Sequence, residues 1–126
     1  MTKTFTILIV EDEPDMQTAL KIRLESIGFS ILLASDGLEG FQMAKSHLPN
    51  LILLDIMLPK MDGFKVCQLL KLDNKYKQIP IVMLSARSSE QDLETGKRVG
   101  ADFYLTKPFK TDDLLKIIRE LMTKLR

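Results

Sequence analysis

Large apolar residues in this chain fall into five short blocks, and between the blocks they recur three or four positions apart. The plainest block is Leu51-Ile52-Leu53-Leu54. Four bulky side chains in succession cannot alternate between core and solvent, so a strand here is covered on both faces, as in the middle of a parallel sheet. It stops at Asp55, and Pro59 and Asp62-Gly63 just beyond are turn signals. Phe5 to Val10 and Ile81 to Leu84 read as buried strands for the same reason, the second ending at Ser85. Ser30–Ala34 and Asp102–Thr106 are shorter strand candidates, the latter running into Lys107-Pro108.

The intervening stretches carry helical spacing. Pro14 suits a first helical turn, Met16, Ala19, Leu20, Leu24 and Ile27 share a face, and Gly28 supplies the stop. Asp36-Gly37 opens a second helix with Leu38, Phe41, Ala44 and Leu48. Phe64, Val66, Cys67, Leu69 and Leu70 support a third. Ser88 with Gln91 resembles a capping box for a fourth, whose apolar anchors are only Leu93 and Val99 with Gly96 between them. The last is the most regularly amphipathic, with Leu114, Ile117, Ile118, Leu121, Met122 and Leu125.

Strict strand–helix alternation calls for right-handed crossovers and a parallel sheet, an α/β architecture. Such a sheet gathers the carboxyl ends of its strands on one edge, where ligands bind in open sheets of this kind. Glu11, Asp12, Asp55, Ser85 and Lys107 are the residues at those ends. On its own stretch alone, Asp55 is explained equally well as a solvated residue that merely ends a strand. The expected convergence of all five is what gives it a functional meaning.

Composition narrows the class. At 126 residues the chain suits a single domain, read as spanning 1–126, and 45% apolar with 28% charged residues is ordinary for a water-soluble fold. The apolar runs are too short to cross a bilayer and no export signal is visible at the start, so no membrane association is expected. Cys67 is the lone cysteine, which excludes an internal disulfide and a cysteine zinc site and makes a cytoplasmic setting the default. A net charge of +1 gives no general drive toward nucleic acid.

Up to three carboxylates from Glu11, Asp12 and Asp55 would repel one another unless a cation joins them. Their hard oxygens suit Mg²⁺ (or Mn²⁺). Lys107 is a compact cation able to meet a phosphoryl oxygen, and Ser85 offers a hydroxyl. Nucleophilic carboxylate, metal, ammonium and hydroxyl together describe phosphoryl transfer, in which positioning and charge neutralisation supply the catalysis.

Four motifs occur in order: Ile7-Leu8-Ile9-Val10-Glu11-Asp12-Glu13; Leu53-Leu54-Asp55-Ile56-Met57-Leu58-Pro59 with Met61-Asp62-Gly63; Pro80-Ile81-Val82-Met83-Leu84-Ser85-Ala86; and Gly100-Ala101-Asp102-Phe103-Tyr104-Leu105-Thr106-Lys107-Pro108-Phe109. Together they resemble the receiver domains of two-component response regulators, over essentially the whole chain. The Glu11-Asp12 pair, Met57 and Arg87 resemble in particular the receivers attached to winged-helix DNA-binding domains. The resemblance implies a flavodoxin-like sheet of order 2-1-3-4-5 with five helices, and a cis Lys107-Pro108 bond. It implies that Asp55 accepts a phosphoryl group from a phosphohistidine on a sensor histidine kinase, acting on itself rather than as a turnover enzyme. It further implies that Asp12, Asp55 and the Met57 carbonyl hold the metal, with Glu11 acting through water. Lys107 would contact the phosphoryl group, Ser85 and Tyr104 would form a switch pair, and Met57 and Arg87 would set the lifetime of the phosphoryl group. The output face would be the fourth helix, fifth strand and fifth helix, with phosphorylation-promoted dimers. Phe103 stands where such relatives usually carry an acid beside the tyrosine, a departure from their charged pairs that would make it an added apolar contact instead. DNA would be met only through an output domain outside this chain, which reads as the front of a longer regulator somewhat more readily than as a stand-alone one.

Plainer readings stand beside these. Glu11 and Asp12 suit a helix N-terminus, Ser85 a strand end, Tyr104 a half-buried strand and Lys107-Pro108 an ordinary turn. Cys67 reads as core, His47 as surface, and the scattered Met residues as core filling. A nucleotide- or flavin-binding module on the same fold would need a small or hydroxyl-rich loop where Glu11-Asp12-Glu13 stands. An aspartate-nucleophile phosphatase would carry a second Asp where Met57 stands. A receiver-like module that is never phosphorylated would have lost one of its acids or its lysine, and none is lost.

Overall fold

The computed structural model describes residues 4–124. Five strands and five helices alternate without exception: β1 (Thr6–Val10), α1 (Pro14–Ile27), β2 (Ser30–Ala34), α2 (Gly37–His47), β3 (Leu51–Asp55), α3 (Gly63–Leu72), β4 (Ile81–Ser85), α4 (Glu90–Arg98), β5 (Phe103–Thr106) and α5 (Thr111–Lys124). All neighbouring strands are parallel, in the order β2-β1-β3-β4-β5. The α/β class, the flavodoxin-like order and the five helices are therefore those expected from the sequence.

β3 lies in the middle of the sheet with all five of its residues buried. Alternate residues of each strand feed opposite layers. Leu8, Val10, Ile52, Leu54, Ile81 and Met83 pack with Ala44, Val66, Cys67 and Leu70 from α2 and α3. Ile7, Ile9, Leu51, Leu53, Val82 and Leu84 pack with Leu20 and Leu24 of α1 and with Leu114, Leu115, Ile118 and Leu121 of α5. Cys67 is core, and its burial pushes the thiol up to about 12, which keeps it protonated and inert. His47 is exposed.

The differences from the sequence reading lie at edges and caps. Phe5 precedes β1 and stacks edge-on against Phe29 at 5.7 Å between ring centroids. Ala19 and Ile27 are exposed, so the buried face of α1 narrows to Leu20 and Leu24. Leu38 is exposed as well, and Leu48 closes α2 in the left-handed conformation, so neither packs on the face assigned to it. Gly37, Gly40 and Ala44 are buried instead: a Cβ at Gly40 would press on Val10 of β1, and one at Gly37 would strike the Met61 carbonyl. α4 starts one residue later than the capping box read at Ser88 and Gln91. Ser89 is the N-cap and exchanges hydrogen bonds with Asp92. Leu93 on α4 is 37% exposed rather than an anchor. Asp102 precedes β5, where its carboxylate accepts bonds from the Ile81 amide and the Lys71 ammonium. The last helical position expected, Leu125, lies outside the described residues.

Candidate functional site

Strand register brings the strand ends together. Val10 pairs with Leu54, Asp55 with Leu84, and Ser85 with Thr106, so Glu11, Asp55, Ser85 and Lys107 leave the sheet at nearly one level. Glu11 donates its amide to the Ala34 carbonyl, extending the β1–β2 ladder by one step, and Lys107 does the same to the Ser85 carbonyl. Backbone pairing therefore continues into the site and fixes where each side chain starts.

The Lys107 ammonium donates to Glu11 Oε1 at 2.7 Å and to Asp55 Oδ2 at 3.2 Å. The other oxygen of Asp55 accepts the Ile56 amide at 2.7 Å, so the carboxylate is held in one orientation from both sides. Gly63, the first residue of α3, permits this geometry. A Cβ there would strike the Asp55 carbonyl and lie 2.8 Å from the Ile56 Cα, so only glycine lets α3 start so close to the β3 exit. Gln17, which sequence reasoning did not single out, ties the loop after β1 by donating to the carbonyls of Glu11 and Ala34.

Glu11 is only 3% exposed, and burial raises its pKa above the usual carboxylate value despite the bonds from Lys107 and the Glu13 amide. Burial pushes the Lys107 ammonium down, but the Glu11 hydrogen bond and the charge of Asp55 together outweigh it and leave the ammonium more firmly protonated than usual. Asp12 is exposed at the mouth. Oxygens of Glu11, Asp12 and Asp55 lie within 4.8 Å of one another. An all-oxygen, carboxylate-rich set opposed by a single ammonium has a surplus of negative charge, and it fits a hard divalent cation.

A cleft of about 540 Å³ opens beside this group, with Asp12, Met57, Phe64 and Arg87 among its walls. Met57 is 65% exposed there. Ser85 is buried and its hydroxyl accepts the Arg87 amide at 3.2 Å. Tyr104 already turns toward this corner. Its ring lies against Gly96 of α4 and its hydroxyl donates to the Arg87 carbonyl at 2.6 Å. Burial, then the nearby Asp92 charge, raises the phenol pKa. Phe103 faces the opposite layer, half-buried with Leu105 and Phe109, so less of it is free than the sequence reading supposed. The Lys107-Pro108 peptide is cis. Asp92, also missed, is buried at the start of α4 and bonded to both Arg87 and Ser89. Its sequence signal was present in the Ser89-x-x-Asp92 spacing, overlapped by Ser88-x-x-Gln91.

Comparison with known proteins agrees over nearly the whole chain. The family profile described as "Response regulator receiver domain" matches residues 7–119. The DNA-binding dual master transcriptional regulator RpaA of Synechocystis is 43% identical over 118 residues, covering 94% of this chain and 49% of that protein. The chain spans about half the length of the curated relatives it matches. Among solved structures, the signal receiver domain of a signal transduction histidine kinase from Syntrophus aciditrophicus superposes with a TM-score of 0.91 at 32% identity, covering 98% of this chain and 93% of that one. The receiver domain of a sensor histidine kinase from Pseudomonas aeruginosa, solved with a magnesium ion coordinated in its active-site cleft, gives a TM-score of 0.88 at 30% identity, covering 96% and 99%.

Proposed function

The chain belongs to the response regulator receiver domain family, and on that premise we propose that it accepts a phosphoryl group on Asp55 from a phosphohistidine of a sensor histidine kinase. The observation that carries this reading is the Lys107 ammonium bridging Glu11 and Asp55 at the end of the central strand, with the Ile56 amide on the other Asp55 oxygen. A carboxylate held at both oxygens has a defined direction of attack. An Asp55 oxygen forms the bond to phosphorus, the phosphorus–nitrogen bond breaks, and the imidazole leaves with the electron pair. Lys107 meets the negative charge that remains on the phosphoryl oxygens. Loss of the group reverses the bond change at Asp55, with water attacking phosphorus and the carboxylate leaving. The chain acts on itself in both directions and is not a turnover enzyme.

Asp12, Asp55 and the Met57 carbonyl would hold Mg²⁺ (or Mn²⁺), with Glu11 contributing through water. The magnesium in the Pseudomonas aeruginosa receiver and the cluster of carboxylate oxygens here support that assignment. When bound, such an ion offsets phosphoryl and carboxylate charge as the bond to phosphorus forms. Ser85 supplies a hydroxyl to the new phosphoryl oxygens, and its movement is passed to Tyr104 through Arg87, whose backbone both residues touch. Met57 and Arg87, on the walls of the cleft, shield the acyl phosphate from water.

The domain is read as one receiver over 1–126. The signal leaves through α4, β5 and α5, where a homodimer forms on phosphorylation. The DNA binding named for the Synechocystis relative would reside in an output segment and not in this fold. Among the described residues no helix is long and apolar enough to cross a membrane. The kinase would be met in the cytoplasm. Incubation with acetyl phosphate and Mg²⁺, read by intact mass, tests the reading. One base-labile phosphoryl adduct is expected, absent in Asp55→Asn and in the presence of a chelator. The same adduct persisting in Asp55→Asn would place the acceptor elsewhere.

A further inference from the structure

A second compact group of charged and hydroxyl side chains stands at the same sheet edge, on the turn between β4 and α4. Asp92 divides its two oxygens. Oδ2 accepts the Ser89 hydroxyl at 2.7 Å and the Ser89 amide at 3.3 Å, which commits it to the cap of α4. Oδ1 accepts Nη2 of Arg87 at 2.6 Å. Among the described residues the arginine is thus held by a single guanidinium nitrogen, although the fork can present two parallel donors to one anion. Its side chain is 46% exposed and its guanidinium stands 5.7 Å from the centre of the Phe64 ring. Arg87, Phe64, Met57 and Asp12 share the cleft beside Asp55. The guanidinium is therefore bonded to Asp92 on one side and stands near Phe64, a wall of the cleft that opens beside Asp55.

We infer that Asp92 is a positioning residue for Arg87, holding the guanidinium back while Asp55 is unmodified and yielding it to the phosphoryl group once Asp55 carries one. This rests on the phosphoacceptor reading and adds to it a competing anion within the chain. A phosphoryl group brings nearly two negative charges and three acceptor oxygens near neutral pH. It matches the guanidinium fork bidentately, against one contact to a carboxylate that is already shared with Ser89. The exchange has a structural consequence. Arg87 carries the amide bonded to Ser85 and the carbonyl bonded to Tyr104, so its displacement reaches both. The first turn of α4 meanwhile loses the tether that joins it to the β4 exit.

A purely structural role for Asp92 would be confined to the N3 position of the capping box, which a side-chain amide also fills. The test is the rate of phosphoryl uptake from subsaturating acetyl phosphate in Mg²⁺, followed by intact mass. It compares the wild type, Asp92→Asn, Arg87→Ala and the double variant. Freed from its carboxylate, Arg87 is available to the incoming donor from the outset. Uptake by Asp92→Asn should be about three- to tenfold faster than wild type, toward the low end of the roughly 2- to 150-fold that coupled residues in one network can show. In the Arg87→Ala background the same substitution should change uptake little, while any loss of melting temperature from the cap persists. Unchanged uptake in Asp92→Asn, or equal acceleration with and without Arg87, overturns the inference alone. No uptake by the wild type overturns the phosphoacceptor reading and this inference with it.

Discussion

Two helices flank the edge strand β5. α5 lays Leu114, Leu115, Ile118 and Leu121 into the layer that also takes Phe103 and Leu105. α4 buries only Asp92 and Gly96 of its nine residues. One helix is thus fixed by apolar area, the dominant and non-directional term in folding. The other is held by a capping box, an arginine contact and a tyrosine ring fitted under a glycine, each of which depends on geometry. Apolar packing resists displacement in every direction, whereas a few directional bonds can be exchanged for others. A helix of the second kind next to Asp55, the proposed phosphoacceptor, is suited to report on it, because local stability is lowest where buried apolar contact is thinnest.

The contrast is tested most severely by truncation. Ile118→Ala in α5 should cost about 2–5 kcal/mol, as for other fully buried aliphatic side chains. Leu93→Ala in α4 should stay within about 0.5 kcal/mol, as for surface positions. Urea unfolding of the two variants measures both. Comparable losses would mean that α4 is anchored as firmly as its neighbour.

How much of this was legible in the sequence follows the same division. β3 and β4 could be read because continuous apolar runs have one physical solution, burial on both faces. α5 could be read because its apolar spacing is regular. The thinness of α4 was visible too, but not what replaces the apolar anchor. Ser88-x-x-Gln91 and Ser89-x-x-Asp92 overlap, and the choice depends on Arg87, which rewards a carboxylate at 92 with a 2.6 Å contact. Leu38 and Leu48 misled for a different reason. Helical spacing says which residues share a face, but not that α2 would approach the sheet through Gly40, where a Cβ would meet Val10 Cγ1 at 2.7 Å. At the site, strand-end positions alone predicted the approach of Glu11, Asp55 and Lys107. The pairing of Lys107 with Glu11 at 2.7 Å depends on side-chain packing that no spacing encodes.

A sharper test concerns Gly96. A Cβ there would stand 2.9 Å from Cδ2 of Tyr104, closer than packed atoms tolerate. Alanine would gain up to about 1 kcal/mol of helix propensity but crowd the ring at a cost of about 1–3 kcal/mol. Gly96→Ala should therefore lose about 1 kcal/mol and turn Tyr104 outward, read by urea unfolding and by the ring resonances. With Tyr104→Ala already present, the same substitution should instead stabilise. A loss that persists without the ring would show that Gly96 serves something other than tyrosine packing.

The cap comes next in size. Ser89→Ala should cost about 1 kcal/mol, while Ser88→Ala should remain within about 0.5 kcal/mol. Thermal unfolding of the pair decides the cap register, and a reversed order would restore the box one residue earlier.

The smallest effect is in acid, and it separates the bonds that hold α4. The Ser89 hydroxyl, and after it Arg87, keep the Asp92 carboxyl below the usual carboxylate range. A carboxyl that is more acidic folded than unfolded stabilises the fold above its unfolded pKa of about 3.9. That contribution is lost as pH falls through the still lower folded value. Other carboxyls titrate in the same window, so the informative quantity is the difference in unfolding midpoint between the wild type and Asp92→Asn. It should be steady near neutrality and shrink on acidification below about pH 4. Ser89→Ala should flatten this dependence more than Arg87→Ala does, because the hydroxyl is the stronger of the two influences and the guanidinium is partly in water. A difference that does not change with pH would remove the charged bonds from the account of α4. A larger flattening by Arg87→Ala would instead make the ion pair its principal tether.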